Sequence, residues 1–222
     1  MKHLLKIAVV AAAIALPQFT VAQDSSNMRF PPIPMEKLTA KQKQFAEVQG
    51  GNQAGGQRAS NYNQGPFRLY LRSPDFGLAA IQMSDYLRWG TGLEPRLVEF
   101  AILIAARNWT STYVWHSHYQ LAMKGGLDPS IPADMAAGRR PAKMKDDERV
   151  IYDLLTQIYR DKKVTDAAFN AAVAKFGDKG VADIVAIASY YGVTSMSLIA
   201  TNTTAAPTEE PRLQELAQAF PR

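Results

Sequence analysis

The sequence predicts an all-α protein, a multi-helix bundle. Three observations carry this. Apolar residues recur at spacings of three and four, as in Val150, Ile151, Leu154, Leu155 and Ile158. Start and stop signals punctuate that pattern. Ser73-Pro74-Asp75 and Glu94-Pro95 open helices, and Gly90, Gly125-Gly126 and Gly177 close them. No stretch shows a sustained strand alternation with turn dipeptides.

In chain order, Lys2 and Lys6 precede an apolar run from Ile7 to Leu16, which Pro17 breaks before Thr20-Val21-Ala22. A basic start, a short apolar core and small residues before the cut describe a secretory signal peptide over residues 1–22. Cleavage is expected after Ala22, and the protein is expected to be periplasmic or secreted. The run is too short for a bilayer, which needs about 20 residues. No later segment offers the ~18 uncharged apolar residues that would suggest a membrane span, so none is expected. Residues 23–65 read as an extended arm (Pro31, Pro32, Pro34), a short polar helix over 35–48 and a linker rich in Gly, Asn and Gln. Only Leu38, Phe45 and Val48 give that helix apolar contacts.

The main domain spans 66–205. Its first helix runs from Pro74 to Arg88 or Trp89, and the next from Leu97 to Trp109. Residues 111–124 form another, Asp128–Ala137 a short one, and Asp146–Tyr159 a strongly amphipathic one. Thr165 caps a helix that Gly177 ends, and Asp178–Ile199 is long and apolar. The tail, 206–222, contains a short helix over Arg212–Phe220.

Composition narrows the chemistry. At 47% apolar and 20% charged residues the chain is globular rather than disordered. It has no cysteine, which excludes disulfides, thiolate nucleophiles, Cys-ligated zinc and iron–sulfur clusters. A net charge of +5 argues only weakly for nucleic acid. Arg139, Arg140, Lys143 and Lys145 form a basic loop with no interleaved aromatic, which reads as a solvated loop, and no nucleic-acid partner is expected. His-Glu-x-x-His, a phosphate-binding glycine loop and Gly-x-Ser-x-Gly are all missing, and neither metal nor cofactor is expected.

After the predicted cut two histidines remain, His116 and His118. Two residues apart on a helix they point about 200° apart and do not chelate one metal together. Ser111, Val114, Trp115 and His118 share one face, while His116 lies with Tyr113 and Gln120 on an outer or interface face. His118 is either a satisfied core histidine or a chemical one. Glu99 is the second anomaly, because Leu97 to Ala106 is apolar at every other position. A helix apolar all round is buried all round, and an unpaired carboxylate there costs several kcal/mol. Glu99 is therefore paired, or it sits partly exposed near the helix start where the dipole favours it. A buried Glu paired with a lone His makes a candidate acid/base pair.

Arg96-Leu97-Val98-Glu99-Phe100-Ala101-Ile102-Leu103, Ala106-Arg107-Asn108-Trp109, Ser111-Thr112-Tyr113-Val114-Trp115-His116-Ser117-His118 and Ala122-Met123-Lys124-Gly125-Gly126-Leu127 resemble the carboxymuconolactone decarboxylase family. Its superfamily includes the alkylhydroperoxidase D-like (AhpD-like) proteins. Val164-Thr165-Asp166, Gly180-Val181-Ala182-Asp183, Tyr190-Tyr191 and Met196-Ser197-Leu198 match the family's second half, so the resemblance covers about residues 66–202. It implies an AhpD-like helical domain that assembles as a homo-oligomer, trimer or hexamer, with the site near subunit contacts. It also implies that Glu99 and His118 are catalytic, with Tyr113, Trp115 and Tyr191 walling a pocket for a small organic acid. The thiol-peroxidase branch carries Cys-x-x-Cys, then His four residues on. Aligned on His118, those cysteine positions are Ser111 and Val114. Peroxide reduction by that route needs the missing thiols. The decarboxylase branch often has Tyr-Glu-Trp-x-x-His, and here Val114 stands in place of that Glu. Two functions follow from the resemblance: a lyase acting on a small carboxylated lactone or organic acid by Glu/His proton transfer, or a non-catalytic oligomeric binding or structural relative.

Overall fold

Helix α4, Pro95–Asn108, is the axis on which the helices that follow it pack. The computed structural model describes residues 29–51, 61–205 and 208–221. The predicted signal peptide and the centre of the linker lie outside the described residues. A 3-10 turn, Met35–Lys37, precedes α1 (Ala40–Gly51), α2 (Phe67–Tyr70) and α3 (Pro74–Asp85). A π-helical turn, Tyr86–Gly90, continues α3 and leads to α4. Then come α5 (Thr112–Lys124), α6 (Ser130–Ala136), α7 (Asp146–Asp161) and α8 (Asp166–Ala200). Among the described residues there is no strand, so the expected all-α class holds.

Every residue of α4 from Phe100 to Arg107 is fully buried, because α5, α6, α7, α8 and the π turn surround it. That explains why its sequence lacks a polar face: each side meets another helix rather than water. Three of the polar side chains it does carry, Arg96, Glu99 and Arg107, have partners in neighbouring segments. Near its start, Arg96 binds Asp147 at 2.6 Å, Glu94 at 3.2 Å and Glu148, joining α4 to the first turn of α7. Glu148 is buried and also accepts the Lys145 backbone N–H at 2.7 Å. Burial works against the charge on Asp147, but hydrogen bonds from Arg96 and the Glu148 N–H outweigh it and hold the carboxyl below its usual range.

The short helix foreseen over 35–48 begins later, at Ala40, and contributes more to the core than its polar composition suggests. Phe45 is fully buried, its ring 6.4 Å from that of Phe67. Gly77 of α3 makes room for it, since a Cβ there would fall 2.7 Å from the Phe45 ring. The first turn of α8 is capped as foreseen, Thr165 Oγ1 accepting from the Ala168 N–H at 3.3 Å. The break at Gly177 is also present. With φ 68° and ψ 173° this residue interrupts α8, in a region of backbone space open essentially to glycine alone. Helix α8 is long and apolar enough to cross a membrane by length and composition. In this fold 61% of its apolar window is buried, packed against α4, α5 and α7.

The two arginines of the basic loop are paired locally. Arg139 pairs with Asp134 at 2.8 Å, and Arg140 pairs with Asp153 while its guanidinium lies 5.1 Å from the Tyr152 ring centroid.

The tail departs from expectation, because Arg212–Phe220 is not helical. Its main chain is committed elsewhere. The Trp115 indole N–H donates to the Pro211 carbonyl at 2.9 Å, and Arg107 donates to the Gln214 carbonyl at 2.9 Å. The Gln214 N–H donates to the Ala136 carbonyl at 3.1 Å, and Arg160 donates to the Pro221 carbonyl. A nine-residue helix is marginal alone, and here the surrounding donors and the burial of Leu213 and Phe220 favour an extended path. The outer face of α5 lies under this tail: His116 Nδ1 is 2.9 Å from Glu210, and Gln120 donates to Glu209 at 2.8 Å. Burial pushes the Glu210 carboxyl up. Hydrogen bonds from its own N–H, His116 and the Thr208 N–H outweigh that and leave it below the usual carboxylate range.

Two outcomes follow. Arg96→Met leaves Glu148 buried without its guanidinium, and is expected to cost about 3–5 kcal/mol, a fall of roughly 10 °C in melting temperature for a domain of this size. Unfolding within about 0.5 kcal/mol of the parent would show that the cluster is not a clamp. Because the folded Glu210 carboxyl is depressed, its contribution is complete above the unfolded value of 4.5 and is lost as pH falls below that through the folded value. The hydrogen-exchange protection factors of residues 208–221 should therefore fall selectively over that window, and in Glu210→Gln this pH dependence of protection should be gone.

Candidate functional site

Helices α4 and α5 are joined by the short connection 109–111 and run back along each other. At a rise of 1.5 Å per residue, Glu99 lies roughly 14 Å before that turn and His118 roughly 9 Å after it, so the two face each other across the packed pair. Glu99 Oε2 is 2.6 Å from His118 Nδ1, and both residues are buried. The alternative of a solvated Glu99 at the helix start is thereby excluded, since only 8% of its side chain is exposed. The contact at Nδ1 fixes the imidazole orientation and leaves Nε2 with no hydrogen bond among the described residues.

Tyr191 of α8 supports the imidazole from one side. Its ring stands edge-on to His118, with centroids 4.8 Å apart and planes at 83°. Tyr190 packs edge-on against Tyr191 in turn, at 5.4 Å. Burial pushes the Tyr191 phenol well above its ordinary range, with Glu99 adding to the rise and Arg88 opposing it. Tyr191 is thus a neutral hydrogen-bonding group at any ordinary pH.

The fourth member was not singled out from the sequence. Arg88, in the middle of the π turn, places Nη2 3.6 Å from Glu99 Oε1. Its guanidinium also lies 4.8 Å from the Trp89 ring centroid. Sequence places Arg88 at the frayed end of a helix, where an arginine is unremarkable. A π turn is common at functional sites, but no residue pattern in Tyr86-Leu87-Arg88-Trp89-Gly90 announces it.

The remaining foreseen residues have other neighbours. Trp115 is buried and directed to the tail through its bond to Pro211. Beside it a cavity of about 590 Å³ is lined by Thr112, Trp115, Ala205 and the tail from Glu210 to Glu215. The Tyr113 ring lies against Gly65, where a Cβ would meet its hydroxyl at 2.7 Å. Ser111 is the N-cap of α5 and Val114 sits in its first turn, both buried. A thiolate at position 111 would gain from the helix N-terminus, whereas a serine hydroxyl there carries no charge to stabilise. Among the described residues no group of three or more His, Cys, Asp or Glu is placed to hold a metal ion. What converges is one carboxylate, one imidazole, one guanidinium and one phenol, a set suited to proton transfer beside an anion.

No protein-family model matches the chain, and no curated protein matches it. Among solved structures it is similar to a protein of unknown function from Agrobacterium tumefaciens, described as a candidate antioxidant defence protein AhpD. The identity is 16%, the match covers 65% of this chain and 100% of that one, and the TM-score is 0.57. The order of helices, the surrounded α4 and this likeness together give the chain an AhpD-like helical fold.

Proposed function

We propose that this protein is a carboxymuconolactone decarboxylase-like lyase that uses Glu99 and His118 to transfer a proton to a small carboxylated lactone or related organic acid. The observation that carries the reading is the 2.6 Å contact between a carboxylate in an otherwise apolar helix and the imidazole of the facing helix. With no cysteine in the chain, thiol-dependent peroxide reduction is not its activity. The predicted leader over residues 1–22 puts the chemistry outside the cytoplasm, and the resemblance suggests a trimer or hexamer.

The reaction balances without a further reactant. The bond between the substrate carbon and its carboxylate breaks, and the electron pair passes into the conjugated carbonyl as a dienolate while carbon dioxide leaves. His118, protonated, delivers the Nε2 proton to carbon. The Glu99 carboxylate accepts the Nδ1–H hydrogen bond and stabilises the imidazolium before transfer. His118 then regains a proton from water.

The depth at which the pair is buried favours a second reading, a non-catalytic relative in which Glu99 and His118 only hold α4 to α5. Assays of carbon dioxide release and solvent deuterium incorporation on unsaturated lactone carboxylates separate the two. For the lyase, His118→Ala and Glu99→Gln should lower turnover by about 10²–10⁴-fold with the helical spectrum unchanged. Full activity in His118→Ala would refute the assignment. No turnover by the parent, with both variants strongly destabilised, would favour the structural role.

A further inference from the structure

We infer that Arg88 is the anion-binding residue of this site, its guanidinium receiving an oxygen of the substrate that carries negative charge after carbon dioxide has left. The inference takes the reaction from the proton-transfer reading, but the anion site itself stands on the geometry of Arg88.

The first observation is a guanidinium that is ion-paired with Glu99 yet short of hydrogen-bond partners. The Arg88 side chain is only 12% exposed. Among the described residues it makes no hydrogen bond, and Nε is buried without a partner. Its nearest acceptor, Glu99 Oε1, is 3.6 Å away, beyond a good hydrogen bond. The other oxygen of that carboxylate is committed to His118. Of the five N–H donors of the guanidinium, the one on Nε is sealed from water without a partner, which is costly, and the terminal ones are open to a ligand.

The second observation is that Arg88 is held in place. The π turn is pinned to α8: Tyr86 donates to Asp183 at 3.0 Å, Lys179 pairs with Asp183 at 2.6 Å, and Lys179 also donates to the Thr91 carbonyl at 2.9 Å. Leu87 is buried beside it, and Trp89 covers the guanidinium at 4.8 Å. The donor-rich, largely covered fork is thus fixed beside the proton-transfer pair.

Charge and chemistry then select the ligand. With His118 protonated, the cluster of Arg88, Glu99 and His118 carries a net +1, which one anionic oxygen balances. That oxygen is not on the departing carboxylate. A guanidinium bound there would stabilise the reactant and lose its partner's charge as the carbon bond breaks, which slows the reaction. A dienolate oxygen, which gains charge, is stabilised more in the transition state, whereas a retained carboxylate is held equally before and after and anchors the substrate. The substrate class is therefore a small acid with a second acidic group or a conjugated lactone carbonyl.

The test uses the full chain and (5-oxotetrahydrofuran-2-yl)acetate, a saturated lactone whose single carboxylate is not on the ring carbon that would lose carbon dioxide and so stands for the anionic oxygen the substrate keeps. Titration calorimetry and melting curves in chloride-free buffer give its affinity. The parent should bind it saturably and melt higher in its presence. Arg88→Gln, similar in reach but uncharged, should lose affinity by about tenfold or more, and Arg88→Lys should recover part of it. Equal affinity in Arg88→Gln, or no saturable binding by the parent at millimolar probe, overturns the proposal, as does a variant that merely melts lower with binding intact. Should Arg88→Gln fail to fold, the Arg88→Lys affinity decides: unchanged affinity refutes a forked contact, and a severalfold loss supports it. Arg88-dependent binding by a parent that turns over no lactone acid would leave the anion site standing and remove the lyase. Turnover that depends on His118 but not on Arg88 would do the reverse.

Discussion

A single carboxylate inside the most buried helix governs how this structure is arranged. Helix α4 is surrounded by helices and the π turn, so Glu99 keeps only 8% of its side chain in contact with water and must be answered by neighbouring side chains. The answer comes from two directions, the imidazole of His118 and the guanidinium of Arg88. Each of those has its own support, Tyr191 beside the imidazole and the pinned π turn beneath the guanidinium. Three consecutive segments, the π turn, α4 and α5, thus meet the distant α8 around one acid.

A similar logic operates in the first turn of α4 with a different result. Arg96 is also buried, but Asp147, Glu148 and Glu94 occupy its donors, so it joins two helix starts and has no capacity left for a ligand. Arg88, with one distant carboxylate, retains that capacity. The contrast separates a structural guanidinium from a binding one by its partners, although both are arginines at the edge of a helix.

Much of this was legible in the residues. The apolar run around Glu99 announced a surrounded helix, and the spacing of Ser111, Val114, Trp115 and His118 put the histidine on the inner face of α5. Thr165 and Gly177 marked a cap and a break that both exist. Other features left no local trace. The π turn that presents Arg88 differs from an α-helix by one residue per turn, which no short pattern encodes. Phe45 looked like an isolated apolar residue in a polar segment, because the glycine that admits it, Gly77, lies far along the chain. The tail read as helical because Leu, Glu, Ala and Gln favour helix. Buried donors on α4, α5 and α7 claimed its carbonyls instead.

Those donors reach the tail through backbone oxygens, which every amino acid supplies alike. Apart from the anchors Glu210, Leu213 and Phe220, the identities of its side chains matter little to this attachment. The final segment is therefore free to diverge in composition while its route across the surface of the helices is kept, and a comparison of residues alone would underrate how tightly it is held.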